Sequence, residues 1–113
     1  MKLRSTLVLT LIALAGCVSP GIFARVDVAC GASALIYSNA DKLDETITVQ
    51  AGDRCAGKDS EVQLVNANGT VVQTFPVPDG STKTIKVTVP NGHWLNFVCA
   101  GNSGGCWYAV TSH

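Results

Sequence analysis

The stretch that decides the fold is Lys83-Thr84-Ile85-Lys86-Val87-Thr88-Val89, in which β-branched aliphatic residues alternate with polar ones. Because successive side chains of a β-strand point to opposite faces, Ile85, Val87 and Val89 share one face and the lysines and threonines share the other. Strands of this kind are buried on one side and solvated on the other. The stretch therefore predicts an antiparallel sheet with one face against a core.

Similar strand signals recur at short intervals along the chain, with turn residues between them. Asn68-Gly69, between two apolar runs, is the strongest hairpin signal. No stretch predicts a convincing helix, so seven to eight short antiparallel strands predict a small all-β sandwich. The predicted strands are residues 26–30, 35–38, 45–50, 61–65, 70–75, 83–89, 93–99 and 106–111, with turns at 51–53, 68–69, 78–80, 90–92 and 101–105.

Length and composition limit the class of protein. A chain of 113 residues with 47% hydrophobic content and a formal net charge of zero indicates one folded domain. Low charge and many β-branched residues argue against disorder. Nucleic-acid binding driven by bulk charge is excluded, because the chain has no basic excess with which to displace counterions.

The N-terminus is typical of an exported protein. Lys2 and Arg4 precede an apolar run, residues 6–14, which is shorter than the roughly 20 residues needed to span a bilayer. Leu14-Ala15-Gly16-Cys17 resembles the lipobox of bacterial lipoproteins, which implies cleavage after residue 16 and lipidation of Cys17. The alternative is an ordinary signal peptide cut near Ala24.

The lipobox resemblance implies a division of the chain and a location. Residues 1–16 would be a lipoprotein signal peptide, residues 17–24 the lipidated N-terminus with a short tether, and residues 25–113 the β-sandwich domain. The residue after Cys17 is Val18 rather than Asp. By resemblance to lipoproteins of Gram-negative bacteria, this implies an outer-membrane lipoprotein facing the periplasm or the cell surface.

Cysteine usage agrees with export. Five cysteines would leave one unpaired in an oxidising compartment, and assigning Cys17 to the lipid leaves four that can form two disulfides. The glycine-rich loop at 100–105 favours the pair Cys99–Cys106, and Cys30–Cys55 follows by exclusion. Spacing alone does not exclude the other two pairings.

Alternation around the last two predicted strands indicates a binding surface. If Cys99 and Cys106 close a hairpin, Phe97 lies opposite Tyr108 on a face that we expect to be core. The opposite face then carries two tryptophans, whose amphipathic rings suit sugar stacking and protein hot spots. The alternative is that this face packs on the second sheet and both tryptophans are core. The residues of the proposed binding face are Trp94, Asn96 and Trp107.

The sequence shows no residue pattern typical of a catalytic or metal-binding site. His93 lies in a turn, His113 is the last residue, and no serine has a nucleophile-elbow context. The six-residue spacing between Cys99 and Cys106 is not that of a zinc site. We therefore expect no enzyme activity, no catalytic residues, no metal and no cofactor.

Six acidic residues within a stretch of 21 could supply oxygen ligands for calcium. This cluster lacks the alternating aspartates and glycine of a calcium loop and is interleaved with lysines and arginine, so we expect a solvated loop surface. The cluster comprises Asp41, Asp44, Glu45, Asp53, Asp59 and Glu61.

About 65 residues of the chain resemble a known family. Residues 61–72, 84–94 and 103–110 follow the pattern of the pre-peptidase C-terminal domain, and residues 46–53 match its earlier strand and turn. The resemblance implies a β-sandwich. Disulfides are not usual in that family, and no peptidase accompanies the domain here, so the resemblance implies fold more than function.

Together these features favour a lipid-anchored, non-catalytic module of the bacterial envelope that binds a protein or a cell-wall glycan. Its partners would be the membrane, through the lipid, and that envelope protein or glycan, with no nucleic acid. Two alternatives stay open. One is a structural lipoprotein subunit of an envelope assembly of the secretion or conjugation type. The other is a periplasmic inhibitor of an envelope-directed enzyme or of phage entry.

Overall fold

The chain forms two packed four-stranded antiparallel sheets, which confirms the all-β sandwich. The computed structural model describes residues 24–41 and 43–112. The strands are β1 (Val26–Ala29), β2 (Ser33–Ser38), β3 (Glu45–Cys55), β4 (Ser60–Val65), β5 (Val71–Val77), β6 (Thr82–Val89), β7 (Trp94–Val98) and β8 (Gly104–Ser112).

Most connections pass from one sheet to the other. Sheet one has the order β1-β8-β3-β6, and sheet two has the order β2-β7-β4-β5. Only β4 and β5 are both consecutive and paired, so the predicted Asn68-Gly69 hairpin is confirmed. Gly69 has a φ of 85°, in the left-handed region that this tight turn requires.

The core lies between the inner faces of the two sheets. Val87 and Val89 of β6 are buried, as the alternation in that strand predicts. In sheet two Leu95 and Phe97 are completely buried, also as predicted. Phe97 meets Tyr108 of sheet one edge to face across the core, with ring centroids 6.2 Å apart.

The predicted hairpin between β7 and β8 was wrong. β7 pairs with β2 and β4, whereas β8 pairs with β1 and β3. Each strand therefore fills the middle of its own sheet, and the segment between them crosses the edge of the core. Gly101, with a φ of 133°, allows this crossing, because a side chain there would collide with the Cys55 carbonyl oxygen.

The predicted turn at 51–53 was also wrong, because β3 runs through it to Cys55. Gly52 pairs with Thr82 of β6 on one side and Trp107 of β8 on the other. Pairing on both sides holds the backbone extended despite a local sequence that favours a turn. Asp53 is consequently buried rather than solvated.

Both predicted disulfides are present. Cys30–Cys55 joins the end of β1 to the end of β3, and Cys99–Cys106 links the end of β7 to β8. The second bond therefore ties sheet two to sheet one. The predicted signal peptide, the tether up to residue 23, Cys17 and His113 lie outside the described residues. In the part that is described, no helix is long and apolar enough to cross a membrane.

We expect both disulfides to stabilise the fold, and Cys30–Cys55 to do so more. The two bonds span 25 and 7 positions of the chain respectively. Restriction of the unfolded chain predicts losses of about 3.5 kcal/mol for a Cys30→Ala/Cys55→Ala variant and about 2.5 kcal/mol for Cys99→Ala/Cys106→Ala. Urea unfolding without reductant measures both. Unchanged midpoints would show that the bonds do not stabilise the fold.

Candidate functional site

The two tryptophans lie on opposite outer surfaces of the sandwich. Trp94 and Asn96 belong to β7 in sheet two, whereas Trp107 belongs to β8 in sheet one. The prediction that they share one face was therefore wrong, because it assumed that β7 and β8 form a hairpin. The alternation within each strand was correct, since Leu95 and Phe97 point into the core between the outward residues.

The outer surface of sheet two is almost without charge. Its four strands contain a single charged residue, Glu61. Gln63 Nε2 donates a hydrogen bond of 2.7 Å to Glu61 Oε2, so this carboxylate already has a partner. Asn96 lies directly opposite Gln63, and Trp94 lies opposite Val65.

Large apolar residues lie at both edges of this surface. Leu35 of β2 is 56% exposed, and Val72 of β5 is 51% exposed next to the exposed Val71. β2 and β5 are the edge strands of sheet two. We call the resulting surface the sheet-two face and define it by Leu35, Gln63, Val71, Val72, Trp94 and Asn96.

Trp107 is buried, although it lies on the outer side of sheet one. Its indole rests on Gly52, where a Cβ atom would overlap the ring nitrogen. The Arg25 guanidinium carbon lies 3.8 Å from the ring centroid. Only 5% of the residue is exposed, and Nε1 has no hydrogen-bond partner among the described residues. A charged side chain and the sheet backbone thus bury this tryptophan, and the second sheet does not.

A groove of about 600 Å³ lies beside Trp107. Gly105 occupies the middle of the groove floor, between Ala29 of β1 and Arg54 of β3. Asp27 lies opposite Trp107 on β1. We call this feature the glycine-floored groove and define it by Asp27, Arg54, Gly104, Gly105 and Trp107.

Asp53 and Ser60 form a buried polar centre that sequence reasoning missed. The Asp53 carboxylate accepts hydrogen bonds from the Cys55 amide at 2.8 Å and from the Ser60 amide and hydroxyl at 3.0 Å each. Ser60 Oγ in turn accepts one from the Ala100 amide at 3.0 Å. A buried carboxylate with this many donors is satisfied. The centre therefore fixes the ends of β3 and β7 rather than offering a reactive group.

The remaining titratable groups have structural surroundings. His93 Nδ1 lies 3.1 Å from the Asn91 carbonyl oxygen within its turn. Desolvation raises the pKa of the Tyr37 hydroxyl, and the charges of Glu45 and Asp41 raise it further, so this group stays protonated at neutral pH. Apart from Asp53, the residues of the acidic cluster are exposed or half-buried.

Three cysteine sulfurs lie close together, which superficially resembles a metal site. The Sγ atoms of Cys30, Cys55 and Cys99 are all within 4.8 Å of one another. All three belong to disulfides, whereas a metal ligand must be a thiolate. The grouping reflects contact between the two disulfides.

Comparison with known proteins assigns no family to this chain. No family model matches the chain, so no such match supports the resemblance to the pre-peptidase C-terminal domain. No curated protein matches either. A subunit of the Bacillus endospore appendages, which form a family of disulfide-linked pili, is similar in structure with a TM-score of 0.49 and 16% identity, covering 84% of this chain and 90% of that chain. A likeness at this level carries no argument about this chain.

We expect Gly52→Ala to displace the Trp107 ring, because the added methyl group would overlap the indole nitrogen. Overpacking of this kind costs about 1–3 kcal/mol. Urea unfolding measures the loss, and a red shift of tryptophan fluorescence reports exposure of the ring. Gly105→Ala is the matched control in the same sheet, because its Cβ would approach nothing closer than 3.4 Å. Equal stability of the two variants would contradict the proposed contact.

Proposed function

We propose that this chain is an exported, non-catalytic structural subunit that associates with copies of itself through the sheet-two face. The observation that supports this is the near absence of charge on a surface with exposed Leu35, Val71 and Val72 and a half-buried Trp94. Depletion of charged residues and enrichment of aromatic ones is typical of the centre of protein interfaces. Isolated exposed apolar residues are common, but a charge-poor sheet surface bordered by several is not.

The chemistry of the face favours a second copy as its partner. In a two-fold interface the same patch lies on both sides, so a patch with charge of only one sign meets no opposite charge on its partner. Here the single carboxylate, Glu61, is held by Gln63. The side-chain amides of Gln63 and Asn96 each carry donors and an acceptor, so each amide can pair with its counterpart on another copy. An anionic partner would require basic residues, and the four strands have none.

Face packing is favoured over strand addition at the β5 edge. Pro76 lies within β5 and has no backbone N–H. Proline on an edge strand is one of the ways by which natural sheets avoid edge-to-edge pairing. The exposed side chains of Val71 and Val72 are therefore better placed to extend a face contact than to accompany a new strand.

The size of the face sets the strength of the contact. Four strands of this length span roughly 15–20 Å in each direction, which is a few hundred Å² per copy. A standard stable interface buries about 800 Å² per partner. We therefore expect weak pairing between free copies and stronger association where many copies are held together, as on a membrane.

Export and lipid anchoring belong to the same proposal. Two disulfides are typical of proteins in oxidising compartments. The lipobox-like Leu14-Ala15-Gly16-Cys17 would attach the mature N-terminus to the outer membrane, close to the domain. Such a tether would concentrate copies of the domain on the membrane surface. Weak contacts between sheet-two faces need a high local concentration of this kind.

Sedimentation velocity of the mature protein over a concentration series tests self-association. We expect Leu35→Lys and Val72→Lys to weaken it at least several-fold, because each places a cation on an apolar contact. Leu43→Lys is the matched control, since Leu43 is 74% exposed but lies in the connection between β2 and β3 and is not among the residues that define the face.

A Glu61→Gln variant separates the possible partners. Between two copies, removal of the like charge should strengthen association. With a different partner that carries a basic group, the same change should weaken binding. A monomer at every concentration, or equal effects of Leu35→Lys and Leu43→Lys, would contradict the proposal.

Intact-mass measurement of membrane-extracted protein tests the anchor. We expect a chain that starts at Cys17, carries acyl groups and exposes four thiols after reduction. A chain that starts near Arg25 without lipid would show a soluble exported protein. A doubled mass that halves on reduction would show that Cys17 links two chains instead of carrying lipid.

A further inference from the structure

The glycine-floored groove lies on the side of the sandwich opposite the sheet-two face, and self-association does not require it. We propose that this groove binds a carboxylate-bearing sugar unit of a polysaccharide. The proposal rests on three features of the groove: a floor without side chains, a rim of unpaired charges with a cationic excess, and an aromatic ring covered by a replaceable arginine.

The backbone itself keeps the groove open. Gly104 has a φ of 106°, and a Cβ atom there would overlap the Arg54 carbonyl group, so no other residue fits. Gly105 beside it leaves the outer surface of β8 bare between Ala29 and Arg54. The volume of about 600 Å³ is within the usual range of small-ligand sites.

The charges around the groove favour an acidic ligand that also has hydroxyl groups. Arg54 is exposed on one wall and Asp27 on the other, and neither side chain forms an ion pair or hydrogen bond with the other described residues. Arg25 adds a second cation beside Trp107. A guanidinium binds a carboxylate in a bidentate fork, and the Asp27 carboxylate can accept hydrogen bonds from hydroxyl groups.

The spacing of these charges suits a sugar. Asp27 and Arg54 lie on β1 and β3, with β8 between them, so their strands are roughly 10 Å apart. A ligand that reaches both side chains must cross the glycine floor. A disaccharide with its carboxylate at one end has this reach, whereas free acetate or phosphate is too small to contact both.

Trp107 completes the site once Arg25 moves. The guanidinium stacks on the outer face of the indole, and Arg25 itself is exposed. A cation–π contact of an exposed arginine is weak, so a ligand can replace it. The apolar face of a sugar ring would then stack on the indole, and the freed guanidinium would join Arg54 at the carboxylate. Tryptophan fluorescence therefore reports binding directly.

Titration of the mature protein with defined oligosaccharides tests the site. Trigalacturonate and the disaccharide of N-acetylglucosamine and N-acetylmuramic acid both carry carboxylates, but they represent an extracellular polysaccharide and the cell wall respectively. Chitotriose is the neutral control. We expect saturable changes in tryptophan fluorescence with at least one acidic sugar, and binding of chitotriose at least tenfold weaker.

Variants locate the binding to the groove. Arg54→Gln should weaken binding of the acidic sugar about tenfold, and Gly105→Ala should weaken it by narrowing the floor. Lys86→Gln is the charge control, because Lys86 lies on the same outer surface but at β6, opposite Thr48. Trp94→Ala is the aromatic control on the other sheet, and it should leave the fluorescence change intact.

Several results would overturn the inference. They are an absence of binding by both acidic sugars, equal binding of chitotriose, equal effects of Arg54→Gln and Lys86→Gln, and loss of the signal in Trp94→Ala. Binding only to a basic peptide or to another protein would also do so. None of these outcomes bears on sedimentation behaviour, so this inference and the proposed self-association succeed or fail separately.

Discussion

The burial of two alternating apolar faces against each other is the constraint on which the structure depends. Val87 and Val89 of sheet one and Leu95 and Phe97 of sheet two are buried between the layers. Because this pairing fixes the inward residue of every strand, it also fixes which side chains point out. The Cys99–Cys106 bond then joins the sheets at one end. The candidate sites are consequences of this arrangement, since both lie on outer surfaces.

The two outer surfaces have opposite characters. Sheet two presents amides, aliphatic groups and Trp94 with one charge, Glu61, which suits contact with a like surface. Sheet one presents exposed charges and a bare glycine floor beside Trp107. Because the surfaces face away from each other, a copy held in an assembly through sheet two keeps the groove on sheet one accessible. The proposed self-association and the proposed ligand binding are thus sterically compatible within one small domain.

Local sequence explains most of the fold but not the partners of each strand. Alternation at 83–89 and at Leu95 and Phe97 identified strands and their inward faces correctly, because side-chain period is a local property. The predictions of a turn at 51–53 and of a β7–β8 hairpin were wrong for the same reason. Both features depend on which distant strand pairs with the segment in question. Gly52 stays extended only because β6 and β8 lie on its two sides.

The sequence by itself determined the all-β class and the inward faces of most strands, because these follow from residue period and turn chemistry. It favoured the cysteine pairing that the structure shows but did not exclude the other two pairings. Only the tertiary structure decided that Trp94 and Trp107 lie on opposite surfaces, that Asp53 is buried under Ser60, and that Arg25 covers an indole seated on Gly52. The Trp107 indole meets Gly52 and Arg25, which are distant from it in sequence and adjacent in space, and Asp53 reaches Ser60 only because β3 runs through the expected turn. Strand order therefore sets the chemistry of this surface, and no local pattern encodes strand order.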